Sequence, residues 1–323
     1  MKKTALAILL TAALAATLTL TSCQSGGNPK DESQIVSDHS SDEKSNASET
    51  VSEPESSHDD ISADEHFTDY DKNESYSASD TSVTFNGNSV NAVGTGASVN
   101  GSVVTITKAG VYVISGSSDD GQIIVEVAKK EKVRLVFNGL SLTSASSAPV
   151  WIKSADKTVI TLAEGTENRL TDASSYTVKT DDEPNSCLFS KDDLTINGAG
   201  TLVVTGKYNN GITSKDDLKI MSGTITVKAK NNALKGNDSV AVAGGTISIE
   251  SSDDGIKTTN DSDTDKGYIY IRGGSITIIS GDDALQATQS IIITGGVVTV
   301  DAGGKAVNCE GSVDIAEGCL VIK

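Results

Sequence analysis

Histidine is nearly missing from this 323-residue chain: His39, His58 and His66 are all there are, and none occurs after residue 66. That absence excludes Ser-His-Asp catalysis, His-ligated zinc and imidazole general bases from everything downstream. Aromatics are scarce too, at 4% of residues. Trp151, Tyr208, Tyr268 and Tyr270 are the main candidates for stacking on a sugar, but no common column joins them, so a flat aromatic platform is not expected. No stretch after residue 76 has convincing helical periodicity. A basic face is absent, and a net charge of −18 argues against nucleic acid as partner. Of the four cysteines, Cys187 falls in a column of small residues, where a buried free thiol is the natural reading. Cys309 and Cys319 fall at non-equivalent positions, which disfavours a disulfide between them.

What is present begins with an export signal. Lys2 and Lys3 precede an Ala- and Leu-rich run over residues 5–20, too short for a membrane span. Leu20-Thr21-Ser22-Cys23 follows and resembles the lipobox of bacterial lipoproteins. That likeness implies removal of residues 1–22, lipidation of Cys23, and a protein anchored to the membrane at the cell surface. Residues 23–75 read as a disordered tether of Ser, Asp, Glu and Asn. Between 24 and 75 stand 15 acidic and 3 basic residues, so the tether carries most of the net charge. It is too polar to offset the entropy of ordering, and its self-repulsion extends it.

The remainder, 76–323, is repetitive. A Gly opens a short apolar strand at positions 200, 223, 245, 274, 296 and 318, with gaps of 23, 22, 29, 22 and 22. The long gap is a loop insertion around 259–267. Within these strands Ile225, Ile247, Ile276, Val298 and Leu320 form one apolar column, and Val227, Ile249, Ile278, Val300 and Ile322 a second. Thr226, Ser248, Thr277 and Thr299 alternate between them. Period two means strands with one buried face. Three short strands per repeat of about 22 residues match one triangular coil. The fold expected is therefore all-β, a parallel β-helix. Residues 76–108 read as its N-terminal cap, and 163–184 as a longer insertion. The sequence stops inside a strand with no cap in view, so another element, association or truncation would have to account for that end. Oligomeric state is not legible.

Candidate chemistry lies at the turns. Asn209, Asn231, Asp253 and Asp282 form one column, and Asn210, Asn232, Asp254 and Asp283 the next. The Asn pairs read as a hydrogen-bonding ladder or as part of a substrate face. Stacked carboxylates repel, and a hard cation relieves the conflict. Ca²⁺ takes six to eight oxygens, which two coils can supply. The insertion adds Asp261, Asp263 and Asp265, an Asp-x-Asp-x-Asp run like the start of a calcium loop, although Lys266 and Arg272 break the EF-hand pattern. Lys235 and Lys257 share the column just after the turns. With Tyr208 and the four Asn residues they make a candidate surface for acidic sugars. Lys257 or Lys235 beside calcium would also suit β-elimination on a uronate. Charge balance for the neighbouring Asp residues is the plainer reading.

Residues 252–278, Ser-Asp-Asp-Gly-Ile-Lys through Lys-Gly-Tyr-Ile-Tyr-Ile to Ser-Ile-Thr-Ile, with 133–152 upstream, resemble the carbohydrate-binding parallel β-helix family of the cellulose- and pectin-binding surface-protein type. The likeness covers roughly 80–323. It implies a right-handed, polysaccharide-lyase-like β-helix that binds calcium and acidic (pectic) or cellulosic polysaccharide, without established catalysis. The chain departs from the pattern at Ala284-Leu285-Gln286 and at Gly304-Lys305, which puts the last coils' share of any site in doubt. Binding, a calcium-dependent lyase and a structural or adhesive surface protein stand as three readings.

Overall fold

The computed structural model describes residues 65–177, 180 and 183–323. The expected signal peptide, the lipidation site Cys23, His39, His58 and the tether up to residue 64 lie outside the described residues.

From residue 103 onward every coil-to-coil strand pairing is parallel, and the strands form three faces. The first face is a ten-stranded sheet that includes Val150–Ser154, Ser186–Ser190, Asn210–Ser214, Leu234–Gly236, Ile256–Thr258, Leu285–Ala287 and Val307–Cys309. The second carries strands such as Asp217–Ile220, Ser239–Val242 and Tyr268–Ile271, and the third Thr224–Ala229, Thr246–Ser251 and Ser275–Ser280. This is a parallel β-helix. The two apolar columns read from sequence are register columns: Ile225 pairs with Ile247, Ile276, Val298 and Leu320 in turn, and Val227 with Ile249, Ile278, Val300 and Ile322. On the first face Val150, Leu188, Ile212, Leu234, Ile256, Leu285 and Val307 stack inward in the same way. Each fully buried Ile or Leu contributes roughly 1.5–3 kcal/mol, so the stacked columns are the main source of stability.

The strand-opening glycines answer to backbone geometry. Gly245 has φ +99° and Gly274 φ +97°. A Cβ at either would lie 2.8 Å from the carbonyl oxygen of the equivalent glycine one coil back. Positive φ and coil spacing therefore both require glycine there.

At the N-terminal end the only antiparallel pairs among the described strands close the solenoid: Thr81–Asn86 with Ser89–Val93, and Ala97–Asn100 with Val103–Ile106. Part of the expected insertion is a third-face strand. Glu167–Thr171 pairs with Thr201–Thr205, burying Asn168 and Leu170, so the excursion is confined to 172–185.

The end of the tether also moves. Residues 65–75 form a strap along the outer side of the second face, where their polar composition suggested solvent. Phe67, 2% exposed, packs against Ala241 and Tyr270. Thr68 caps the short helix Asp69–Lys72 in a capping box with Asp71. Asp71 is fully buried; its carboxylate accepts from Lys157 Nζ at 2.9 Å and Thr195 Oγ1 at 2.6 Å. Asn197 Nδ2 donates to the Asp71 carbonyl at 2.8 Å, and Arg134 Nη1 donates to that of Asn73. His66 is thus part of the folded unit: its ring stacks on Tyr270 at 4.1 Å and Nδ1 lies 3.2 Å from the Tyr268 hydroxyl. Burial and Lys219 lower its pKa.

Candidate functional site

Each coil turns from the third face into the first through one of the paired polar residues, and the pairs read across the coils. Asn231 Nδ2 donates to Asn209 Oδ1 at 2.9 Å. In the second column a side-chain oxygen accepts the backbone N–H of the next coil at three of the four steps from Asn210 to Lys305. Asn210 Oδ1 takes Asn232 N at 3.3 Å, Asp254 Oδ1 takes Asp283 N at 3.1 Å, and Asp283 Oδ1 takes Lys305 N at 2.7 Å. This column is a ladder that fixes the stacking of the corner. Asp283 gives its other oxygen to Asn308 Nδ2 at 2.6 Å, which leaves it little free capacity.

The remaining oxygens converge. Asp253, Asp254 and Asp282 each offer a carboxylate oxygen within 4.8 Å of the others. The side-chain amide of Asn232, one coil back, reaches Asp253 Oδ2 at 3.2 Å and Asp254 Oδ2 at 3.1 Å. With its oxygen inward, this amide faces two carboxylates and no donor. With its nitrogen inward, it donates to both. The orientation of Asn232 is therefore set by what neutralises the pocket, and the oxygen-inward form is the one a cation favours. Burial and then the neighbouring Asp254 raise the pKa of Asp253. Lys257 Nζ contacts Asp254 Oδ2 at 2.7 Å. Lys235 shares its column by register, is half-buried, and has no hydrogen bond or ion pair among the described residues. Burial first, then Lys257 and Lys215, lower its pKa.

Other candidates from sequence lie elsewhere. Asp261, Asp263 and Asp265 are exposed on the insertion, which leaves the opposite edge of the first face, between Thr258 and Tyr268. That loop is ordered by turns of its own, Ser262 N to Asn260 Oδ1 and Asp265 N to Asp263 Oδ1, each at 3.1 Å. It is pinned by Asn260 and Lys266, both 2.8 Å from Asp238. The loop carboxylates are thus not brought to the Asp253–Asp254–Asp282 cluster. Tyr208 stacks on Tyr176 at 4.2 Å and belongs to the wall of the 172–185 excursion. Cys187 is fully buried and burial raises its thiol pKa; Cys187, Cys309 and Cys319 are joined by no disulfide.

Sequence reasoning missed a second acidic corner. Asp193, Asp216, Asp217 and Asp238, with Asp265, Lys266 and Tyr268, line a cleft of about 410 Å³. Burial, then Asp238 and Asp193, push Asp216 up to about 6. The signal was present: an acidic residue recurs at the start of successive second-face strands at coil spacing.

A parallel β-helix with a polar outer column and a cluster of carboxylates at one corner is an architecture suited to holding an extended polar polymer. The chain belongs to the carbohydrate-binding domain family, whose model matches residues 100–320. It is 48% identical over 150 residues to a carbohydrate-binding domain-containing protein of Acetivibrio thermocellus; the match covers 46% of this chain and about half, 52%, of that relative. Among solved structures it is similar to the polysaccharide lyase-like protein from C. thermocellum, solved as a gadolinium derivative. There the TM-score is 0.74 and the identity 47%, over 75% of this chain and 99% of the other.

Proposed function

We propose that this chain binds an acidic polysaccharide through the third-to-first corner, with Ca²⁺ held among Asp253, Asp254, Asp282 and Asn232. The observation that carries the reading is the oxygen cluster itself. Three carboxylates and an amide from three successive coils converge, and among the described residues Lys257 is the only cation paired with them. Calcium is suited to such a hard, multi-oxygen donor set, and in that place it would offer open coordination positions to sugar carboxylates. Lys235, half-buried and without an ion pair among the described residues, supplies a cation for the same carboxylates. A solved relative was prepared as a gadolinium derivative, and a lanthanide seeks the same hard oxygen donors. We further propose that Cys23 is lipidated and that residues 23–64 tether the domain to the cell surface.

The test is affinity electrophoresis of the full chain in gels containing polygalacturonate, pectin or soluble cellulose derivatives, with calcium or with chelator. Expected is retardation by polygalacturonate that chelator abolishes and Asp254→Asn weakens at least tenfold. Retardation indifferent to chelator and to Asp254→Asn would overturn the calcium reading. Lysine as a base is favoured by a lowered pKa, so the same material is to be watched for near-ultraviolet absorbance. A rise that Lys235→Ala removes would replace binding by β-elimination.

A further inference from the structure

The third-to-first corner changes along the solenoid. Between Ala229 and Asn232 the chain spends only Lys230 and Asn231, and the next coils do the same with Ser252 and Asp253, then Gly281 and Asp282. One coil back, Lys207, Tyr208 and Asn209 separate Gly206 from Asn210. Ala229 pairs with Gly206 in register, and Asn231 is bonded to Asn209 through both its backbone and its side-chain amide, each at 2.9 Å. Lys230 therefore matches Lys207, and Tyr208 is the extra residue. One coil further back the same corner takes the whole of 172–185.

That excursion makes a wall. A segment so long cannot lie flush with corners of two residues, and Ser174, Ser175 and Thr177 along it are exposed. It leans back over the preceding corner, where Ala173 N and Thr177 N donate to the carbonyls of Ser147 and Ser146 at 3.4 and 3.1 Å. Tyr176, buried, fixes it from within: its hydroxyl lies 2.8 Å from Asp172 Oδ2 and 3.0 Å from the Ser186 carbonyl. Tyr208 stacks on the Tyr176 ring and stays half-buried, so it is the accessible ring of the pair. In the other direction the corner falls away. The column that begins with Lys207 and Lys230 continues as Ser252, Gly281 and Gly303, all five exposed and the last two without a side chain. Lys207 and Lys230 have no ion pair among the described residues, and they stand between the wall and the Asp253–Asp254–Asp282 cluster.

We propose that this corner is closed at its N-terminal end and takes the terminus of an acidic polysaccharide chain, not its interior. The terminal sugar meets Tyr208 against the excursion. The units behind it pass Lys207, Lys230 and the carboxylate cluster, and the rest of the chain leaves over Gly281 and Gly303. This closed end rests on the acidic-glycan reading above and adds to it which part of the polymer is held. Tyr208 and Asp282 are three coil steps apart, about 14 Å, the reach of a few sugar units. An interior stretch would have to climb over the wall, and in doing so would give up Tyr208 and Lys207. Tyr208, the residue inserted at the step, is the one that reads the chain end.

Titration calorimetry of the full chain with calcium counts the proteins bound per glycan chain. The probes are galacturonate hexamer and polygalacturonate fractions of narrow and successively greater length. One protein per chain is expected at every length, with an affinity per chain that stays within about twofold from the hexamer upward. Tyr208→Ala should weaken the hexamer and the long fractions alike, by about fivefold, through loss of the aromatic contact, and Tyr208→Phe should leave both unchanged. A number of proteins per chain that rises with chain length, or hexamer binding indifferent to Tyr208→Ala, would overturn the closed end and leave the acidic-glycan reading standing. If no fraction binds in calcium, that reading itself falls and the closed end with it.

Discussion

Asp71→Asn tests whether the strap is held by one buried carboxylate. Asp71 Oδ1 accepts from Lys157 Nζ at 2.9 Å and from Thr195 Oγ1 at 2.6 Å. Its Oδ2 accepts from the Thr68 amide and hydroxyl, each at 2.8 Å. The Lys157 side chain is 7% exposed. Removing one partner of such a pair costs about 3–5 kcal/mol, because the other charge stays buried. Lys157 keeps a second carboxylate, Asp193, at 3.6 Å, so the lower end, about 3 kcal/mol, is expected. The loss should be local. The strap lies outside the stacked columns, and the coils pair without it. Opening of the strap should then become more frequent by on the order of a hundredfold while the core keeps its protection. Hydrogen exchange read by mass spectrometry on 65–80 and on the strand Thr224–Ala229 separates the two. Adding Lys157→Met to Asp71→Asn should recover about 1–2 kcal/mol, since no buried charge is left uncompensated. Strap amides that exchange at the parent rate, or acceleration shared equally by the core strands, would refute the reasoning.

Acid should act in two opposite steps. Burial pushes Asp216 up to about 6, with Asp238 and Asp193 adding to it, so its ionisation opposes folding at neutral pH and stability should rise as pH falls from 7 towards 5. Burial also pushes Asp71 up, but hydrogen bonds from Thr195, Lys157 and Thr68 outweigh it and leave the group at about 2 against an ordinary 3.8. That difference contributes about 2 kcal/mol above pH 4, which is lost as pH falls from 4 towards 2. Thermal midpoints measured in chelator should therefore peak near pH 4–5, and a curve that only falls from pH 7 would contradict this. Gly245→Ala meets both φ +99° and a carbonyl 2.8 Å from the new Cβ, whereas Gly318→Ala meets φ +78° in open space. Urea unfolding should show a loss of at least about 2 kcal/mol for the first and about 1 for the second; equal losses would mean that coil spacing adds nothing.

The coils were legible because two periods coincide, a residue alternation of two and a repeat of about 22, and each fixes the other's phase. Ile225 through Leu320 needed no structure to be aligned. Glu167–Thr171 escaped because Leu170 is its single apolar residue and Asn168 is buried by hydrogen bonding, which no hydropathy pattern reveals. Here Asn168 Oδ1 accepts from the Gly139 and Leu140 amides at 3.0 and 2.9 Å. The strap was hidden in an acidic composition, although Thr68-x-x-Asp71 beside Phe67 is a capping signal that could have been read. Of the site, the corner pairs were visible from stacking alone. The distance between the insertion and those pairs was not, since adjacency along the chain says nothing about which edge of a face a loop leaves.

The two acidic corners show why carboxylate count alone is a poor guide to a cation site. At the first-to-second corner Lys157, Lys219 and Lys266 lie 3.6, 3.3 and 2.8 Å from Asp193, Asp217 and Asp238. The chain supplies its own countercharge there, and the residual repulsion falls on Asp216, which can relieve it by taking a proton. At the third-to-first corner Lys257 serves Asp254, and Asp253 and Asp282 have no ion pair among the described residues. The Asn232 amide can offer two hydrogen bonds there but no charge. Partial amide charge cannot offset two carboxylates at a separation where each unit charge still interacts by several kcal/mol at an effective dielectric of about 20. A divalent ion can, and it can also accept the carboxylates of a sugar that would otherwise be repelled. The same arithmetic explains why an acidic domain would have affinity for an acidic polymer. A calcium ion there, as proposed, would reverse the sign of the corner, and Lys235, without an ion pair among the described residues, would extend that reversed sign to the neighbouring coil.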